Sequence, residues 1–273
     1  MDFIEINQQT CTQCGLCALA CGRGLIDFQV NGYPEPQAID ELECSVCGHC
    51  VAVCPEGSLI HKNMPVDECL PIKKELEITA EQCEYLIKSR RSIREYENKP
   101  VPRDIIANLI ESARYAPTGH NDQNVEWLII DSSEVLRRIR EAGMDCLRWI
   151  MKTQPETASA MNVERMLERD RSGENVLLRD APVLVVAHAD KGNQMAIINC
   201  TIALSYFDLV AKSTGLGCCW NGYLYFMANA FPPMQEAFAL PEGKAVYGCL
   251  MMGYPILSYS RIPIRKQPSI TWR

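Results

Sequence analysis

The chain has 273 residues, 15 cysteines and a formal net charge of −7. That length accommodates a large domain with a small one beside it, and the acidic balance argues against a nucleic-acid partner. Met1 to Thr10 lacks a basic start followed by an apolar run. The longest apolar segment, Ala196 to Ala211, is interrupted by Asn199, Thr201, Ser205 and Asp208. Neither secretion nor membrane insertion is therefore expected, and a cytoplasmic location is. In such a reducing compartment many cysteines point to metal-ligating thiols rather than disulfides.

Phe3 to Asn7 reads as a short strand, followed by Cys11-x-x-Cys14-x-x-Cys17-x-x-x-Cys21. Leu25 to Val30 with Asn31-Gly32 reads as a strand and hairpin turn. Then comes Cys44-x-x-Cys47-x-x-Cys50-x-x-x-Cys54-Pro55, and Ser58 to Lys62 is a closing strand. Cysteines three apart in a tight loop suit three corners of an iron–sulfur cubane, and the fourth, leaving on the following helix, ligates the other cluster. By that rule Cys11, Cys14, Cys17 and Cys54 hold one [4Fe–4S] cluster, and Cys44, Cys47, Cys50 and Cys21 the second. Structural zinc normally takes two separated pairs of ligands. The stretch resembles bacterial two-cluster ferredoxins. Residues 1–64 carry eight acidic and two basic side chains, a net charge of −6, so this domain suits a basic partner surface. Cys69, Cys83, Cys146, Cys200, Cys218, Cys219 and Cys249 show no metal spacing and are expected as small buried residues.

Residues 65–79, with Pro65 and Pro71, read as a linker. From Ala80 the pattern changes. Helical periodicity covers 80–89 and 104–115, where Ile105, Ile106, Leu109, Ile110 and Ala113 form an apolar stripe. Val125 to Ile130 reads as a strand. Ser132-Ser133 caps a helix running toward Trp149, 160–172 is a charged helix, and Pro182 to His188 is a buried strand. Residues 194–213 form a helix apolar almost all round, expected to be buried on every side and to suggest a dimer core. Gly215-Leu216-Gly217 ends it, and Lys244 to Gly253 is the final strand.

Three separated pieces of this second domain carry polar chemistry. Ser89-Arg90-Arg91-Ser92-Ile93-Arg94 gathers arginines suited to a phosphate. Ala116-Pro117-Thr118-Gly119-His120-Asn121-Asp122-Gln123 is a polar loop entering a strand. Gly215-Leu216-Gly217-Cys218-Cys219-Trp220-Asn221-Gly222 supplies glycines that let backbone approach a flat ligand. Arg261-Ile262-Pro263 adds a late basic site.

In order and spacing these pieces resemble the nitroreductase family of FMN enzymes, over roughly residues 80–273, and the whole chain resembles the ferredoxin-fused branch of that family. The resemblance implies an α+β nitroreductase-like FMN domain joined to a small ferredoxin-like domain, and a homodimer with FMN at its interface. It implies Arg90, Arg91 and Ser92 on the phosphate and ribityl chain, Arg94 near N1 and O2 of the ring, and Arg261 in the phosphate cluster. Pro117, Thr118, Asn121 and Gln123 belong to the loop that reaches the partner's flavin, and Asn221 and Gly222 lie near N5. Asn124 stands where the family commonly has proline, and residues 140–178 shape the pocket mouth. No side-chain catalyst is expected.

The implied activity is transfer of electrons from a low-potential donor, ferredoxin or NAD(P)H, through two clusters and FMN to a nitroaromatic, quinone or activated alkene. The alternatives are a dehydrogenase running in reverse and a redox carrier or sensor. His49 reads as a solvated loop residue. For His120 substrate contact is the alternative to a solvated turn, and for Tyr223 and Tyr225 pocket lining is the alternative to core packing.

Overall fold

A computed structural model of the chain describes residues 3–37 and 43–273. Asp2, Asp40 and Glu41, counted in the N-terminal charge, lie outside the described residues. The chain divides into two compact units, Met1–Glu77 with Gly119–Asp122, and Ile78–Thr118 with Gln123–Arg273.

In the first unit, strand β1 (Ile4–Ile6) is followed by the five-residue helix α1 (Leu16–Ala20). Strands β2 (Ile26–Asp27) and β3 (Glu35–Pro36) form a small antiparallel pair. Helix α2 (His49–Val53) and strand β4 (Leu59–His61) complete the unit, with β4 antiparallel to β1. The expected strand over 25–30 is cut to two residues. Its chain turns early, with Asn31 left-handed at φ 67° and the Gly32 amide bonded to the Gln29 carbonyl. The core is small: Phe3, Ile4, Ile26, Val51 and Leu59 pack with the thiols of Cys17 and Cys50. Within 65–79 the chain makes two 3₁₀ turns, Val66–Glu68 and Lys74–Leu76.

The second unit begins with α3 (Ala80–Ser89). Thr79 and Gln82 close a reciprocal capping box there, each side chain accepting the other's backbone N–H. Helix α4 (Arg103–Ala113) buries Ile106, Leu109 and Ala113, the stripe read from the sequence. Strand β5 (Glu126–Ile130) leads to α5 (Ser133–Thr153), whose N-cap Ser132 accepts from the Val135 amide. The expected charged helix over 160–172 is α7 (Val163–Arg171), which starts after the left-handed Asn162, and a short helix α6 (Pro155–Ala160) not expected from the sequence precedes it. Strand β6 (Val183–Asp190), helix α8 (Ala196–Ser213) and strand β7 (Gly217–Trp220) follow. Helices α9 (Gly222–Ala230) and α10 (Pro232–Phe238) precede the last strand, β8 (Lys244–Gly253).

The four strands form one antiparallel sheet in the order β5-β6-β8-β7. Successive side chains of a strand point to opposite faces, and here both faces are covered. Leu184 and Val186 of β6 pack with residues of α5, α7, α9 and α10. Val183, Val185 and Ala187 pack with residues of α4 and α8. This is an α+β sandwich. Helix α8 buries Cys200, Leu204, Phe207 and Ala211 against the sheet but leaves Ile197, Ile198 and Tyr206 exposed. Within one chain only one face of α8 meets the sheet, and the expected burial on every side would need a partner over Ile197, Ile198 and Tyr206. Five of the seven remaining cysteines are buried, whereas Cys83 is half-buried and Cys69 is exposed. Cys69 follows a 3₁₀ turn with no core behind it.

Candidate functional site

The two cysteine runs fold as near-copies. Gln13 and Val46 are left-handed, at φ 58° and 49°, as are Gly15 and Gly48. This curls each run so that backbone amides face sulfur. Gln13 N–H lies 3.4 Å from Cys11 Sγ, and Val46 N–H 3.4 Å from Cys44 Sγ. Leu25 N–H donates to Cys21 at 3.3 Å and Ser58 N–H to Cys54 at 3.2 Å.

The runs exchange their last cysteine. Cys11, Cys14, Cys17 and Cys54 line one cavity, with Thr12, Leu16 and Pro34 beside them. Burial raises the Cys17 thiol above its usual range, and the charges of Cys54 and Cys11 add to that. Cys50 is pushed to about 11, by burial first and then by Cys21, Cys44 and Cys47. Each set therefore takes three sulfurs from one run and one from the other. His49, at the start of α2, is exposed. A histidine absent from the sequence reading lies closer. His61 is 2% exposed, and its Nε2 is 3.7 Å from Cys44 Sγ.

In the second unit the arginine segment runs out of α3 and lies along β7, where the Ile93 amide donates to the Cys218 carbonyl at 3.0 Å. Two cavities flank this contact. The first, about 240 Å³, is lined by Ser89, Arg90, Arg91, Lys212, Gly217 and Cys218 among others. Arg90 Nη1 sits 3.2 Å from Asp208 Oδ2, near enough for ion pairing yet not aligned as a hydrogen bond, and this buried atom has no hydrogen-bond partner. Burial raises Asp208 to about 6 against the opposing pull of Arg90. Lys212 Nζ bonds Ser89 Oγ, and Arg91 lies 5.9 Å from the Tyr259 ring centre. Lys212 was not legible in the sequence because it ends a helix that reads as uniformly apolar.

The second cavity, about 420 Å³, is lined by Arg94, Arg179, Cys219, Asn221, Gly222 and Tyr223, with Met161, Val176 and Leu177 at its edge. Burial raises the Cys219 thiol, while the charges of Arg94 and Arg179 pull it back. Asn221 is fully engaged. Its Oδ1 accepts from Leu224 N–H at 3.1 Å as the N-cap of α9, and its Nδ2 donates to the Leu177 carbonyl at 2.7 Å. The Asn221 side chain therefore builds the wall, and the backbone at Gly222 opens the first turn of α9, where amides lack intrahelical partners. A Cβ at Gly222 would meet nothing within 4 Å, leaving room for a ligand against the backbone. Gly217 differs: a Cβ there would lie 2.2 Å from Ile93 Cγ1. That glycine admits the arginine segment and not a flat ligand. Tyr223 lines the cavity, while Tyr225 packs on the core.

The polar loop is placed differently. Residues 119–122 belong to the first unit. Asn121 Nδ2 donates to the carbonyls of Ser45 and Val46 at 3.1 and 3.0 Å, inside the second cysteine loop. Thr118 Oγ1 accepts the Gln123 amide at 3.0 Å, closing the loop beside the exposed Pro117. His120 is exposed. Asn124 is tied to α8, its Oδ1 accepting from Asn199 Nδ2 at 3.0 Å. Ser92 is half-buried beside Arg91, and Arg261 is exposed in the C-terminal tail.

The sandwich and its basic cavities are those of an oxidoreductase domain, and the chain belongs to the nitroreductase family. The family model matches residues 87–254, more than half of the chain. A 4Fe-4S dicluster domain matches residues 10–58. The chain is 24% identical over 173 residues to a provisionally assigned NADH dehydrogenase/NAD(P)H nitroreductase of Methanothermobacter thermautotrophicus, covering 62% of this chain and 75% of that one. A crystal structure of a Bacteroides fragilis nitroreductase with bound FMN is similar, with TM-score 0.60 and 25% identity over 71% of this chain and 98% of that one. A Desulfitobacterium hafniense nitroreductase shares the fold, with TM-score 0.57 and 20% identity over 71% and 99% of the two chains.

Proposed function

We propose that the protein is an FMN- and iron–sulfur-dependent oxidoreductase that moves electrons from a low-potential donor, ferredoxin or NAD(P)H, to an electron-poor organic acceptor such as a nitroaromatic, quinone or activated alkene. The observation that carries this reading is the exchange of the fourth cysteine between the two runs, in one chain with a pair of arginine-lined cavities. The donor sets fit two cubanes: Cys11, Cys14, Cys17 and Cys54 for one, Cys44, Cys47, Cys50 and Cys21 for the other. The buried, hydrogen-bond-free Nη1 of Arg90 fits a phosphate oxygen, with Arg91 and Lys212 beside it. Arg94 and Arg179 suit the pyrimidine edge of a flavin, and the open backbone at Gly222 suits its N5 edge.

When bound, the clusters supply one-electron relays, and FMN supplies a carrier that takes electrons singly and releases them in pairs. The chain's own residues do the rest. The Arg94 and Arg179 guanidiniums would hold positive charge beside a bound flavin's pyrimidine edge, stabilising the negative charge its reduced form carries. Tyr223, Trp220 and Phe226 offer aromatic surface at the cavity mouth, suited to stacking a flat acceptor. No side chain is assigned as acid, base or nucleophile. The exposed Ile197, Ile198 and Tyr206 of α8 support a homodimer. Among the described residues no helix is long and apolar enough to cross a membrane. The test is an anaerobic spectrum with metal and flavin analysis. About eight irons, as two cubanes require, and one FMN per chain are expected; zinc in the thiol sites or a colourless second unit would end the proposal.

A further inference from the structure

The two cysteine runs are alike in backbone but differ in one buried ring. Strand β4 pairs with β1 so that His61 stands opposite Ile4, and the Phe3 ring packs edge-on against the imidazole with centres 4.8 Å apart. The Asn63 amide donates to His61 Nδ1 at 3.2 Å. Nδ1 is thus the acceptor of the ring, and in the neutral imidazole the proton resides on Nε2. That N–H faces Cys44 Sγ at 3.7 Å. When Cys11 is aligned on Cys44, the residue equivalent to His61 is Phe28. Its ring lies against Gly15 in the first run, where a Cβ would come within 2.5 Å, and it has no N–H to give.

We propose that His61 is a positioning residue that donates a hydrogen bond to the Cys44 thiolate and thereby raises the reduction potential of the second cluster above that of the first. The inference rests on the two-cluster reading above. A reduced cluster carries one more negative charge than an oxidised one, so a fixed donor on a ligand sulfur stabilises the reduced form more. Hydrogen bonds to the sulfurs are among the factors that set cluster potentials. The first and last cysteines of each run receive backbone N–H groups at matching positions. Cys14 also accepts from the Leu16 amide and the Thr12 side chain, but it is exposed, where water weakens such contacts. His61 donates from a buried position that has no counterpart in the first run. One electron from a low-potential donor then resides on the cluster of Cys44, Cys47, Cys50 and Cys21 before the other is reduced.

The test is anaerobic EPR-monitored potentiometry of the full-length holoprotein with dithionite as reductant. Wild type is expected to show two separate one-electron midpoints. His61→Phe, which installs the residue of the first run, should lower the upper midpoint by about 59 mV, a tenfold change in a one-electron equilibrium, and leave the lower one in place. His61→Gln, whose side-chain amide restores an N–H donor, should retain most of the wild-type value. Two unmoved midpoints in His61→Phe at wild-type iron content would overturn the inference, as would His61→Gln falling as far as His61→Phe. If His61→Phe does not retain iron, His61→Gln decides alone: a wild-type upper midpoint supports the assignment and a lowered one rejects it. A wild type without iron or a reduced-cluster EPR signal would remove the two-cluster reading itself, a result distinct from unmoved midpoints.

Discussion

The cysteine unit and the sandwich unit solve the same problem, a polar site in a folded chain, by opposite means. The sandwich closes two hydrophobic layers around β6 and β8, and its cavities are hollows left at the edge of a core that is complete without them. The cysteine unit has one small core, and two of its buried members, Cys17 and Cys50, are themselves candidate ligands. The first site is an addition to a fold, whereas the second is part of what holds its fold together. Small domains of this kind commonly depend on a metal for stability.

The largest expected effect tests that contrast directly. Stripping iron with a chelator under anaerobic conditions should abolish hydrogen-exchange protection in residues 3–62, while β6 and β8 stay protected; equal loss in both units would erase the distinction. Next comes the exchange of ligands. Cys54→Ser removes a thiol from the cavity of Cys11, Cys14 and Cys17, so iron content should fall by about half, the share of one cubane in two. Cys21→Ser should cost the other half.

In the sandwich the effects are graded. Gly217→Ala drives a methyl into Ile93, and overpacking of this kind costs about 1–3 kcal/mol, measurable in the urea transition of the second unit. In an Ile93→Ala background the cost should shrink. Arg94→Ala should weaken flavin retention by about tenfold, the loss of a charge-assisted contact, with iron content unchanged. A further effect is a slope in pH. Asp208 is raised from 3.8 to about 6 when folded, so the folded state keeps a proton that the unfolded state gives up. Its stabilising contribution is full below about pH 4 and is lost as pH rises through 6. Asp208→Asn should flatten that slope in urea denaturation curves taken from pH 4 to 7.

The two cysteine runs were legible because each triplet is local in sequence, and its curl follows from left-handed positions at Gln13, Gly15, Val46 and Gly48. The capped helices and the continuously apolar strand β6 were legible for the same reason, since caps and apolar runs are local properties. Helices α9 and α10 escaped because they are short, α9 with no polar stripe to mark a face and α10 too brief to show a period. His61 and Arg179 escaped for a tertiary reason. The first meets Cys44 only after β4 has closed on β1, and the second enters its cavity through two successive left-handed residues, Arg179 and Asp180. Asn121 shows the converse. Its loop was read as facing a ligand, and in the structure its amide is bonded to the carbonyls of Ser45 and Val46.

Cys218 and Cys219 are neighbours on β7, yet one lines the basic hollow and the other the hollow of Arg94. Their separation is a matter of bond lengths along a single peptide unit and owes nothing to how tightly either layer is filled. Mutational drift in the surrounding helices can loosen one chamber or the other, but it cannot stretch the ruler between them. A molecule with a charged tail and a flat head that spanned both chambers would be measured against that one-peptide gauge.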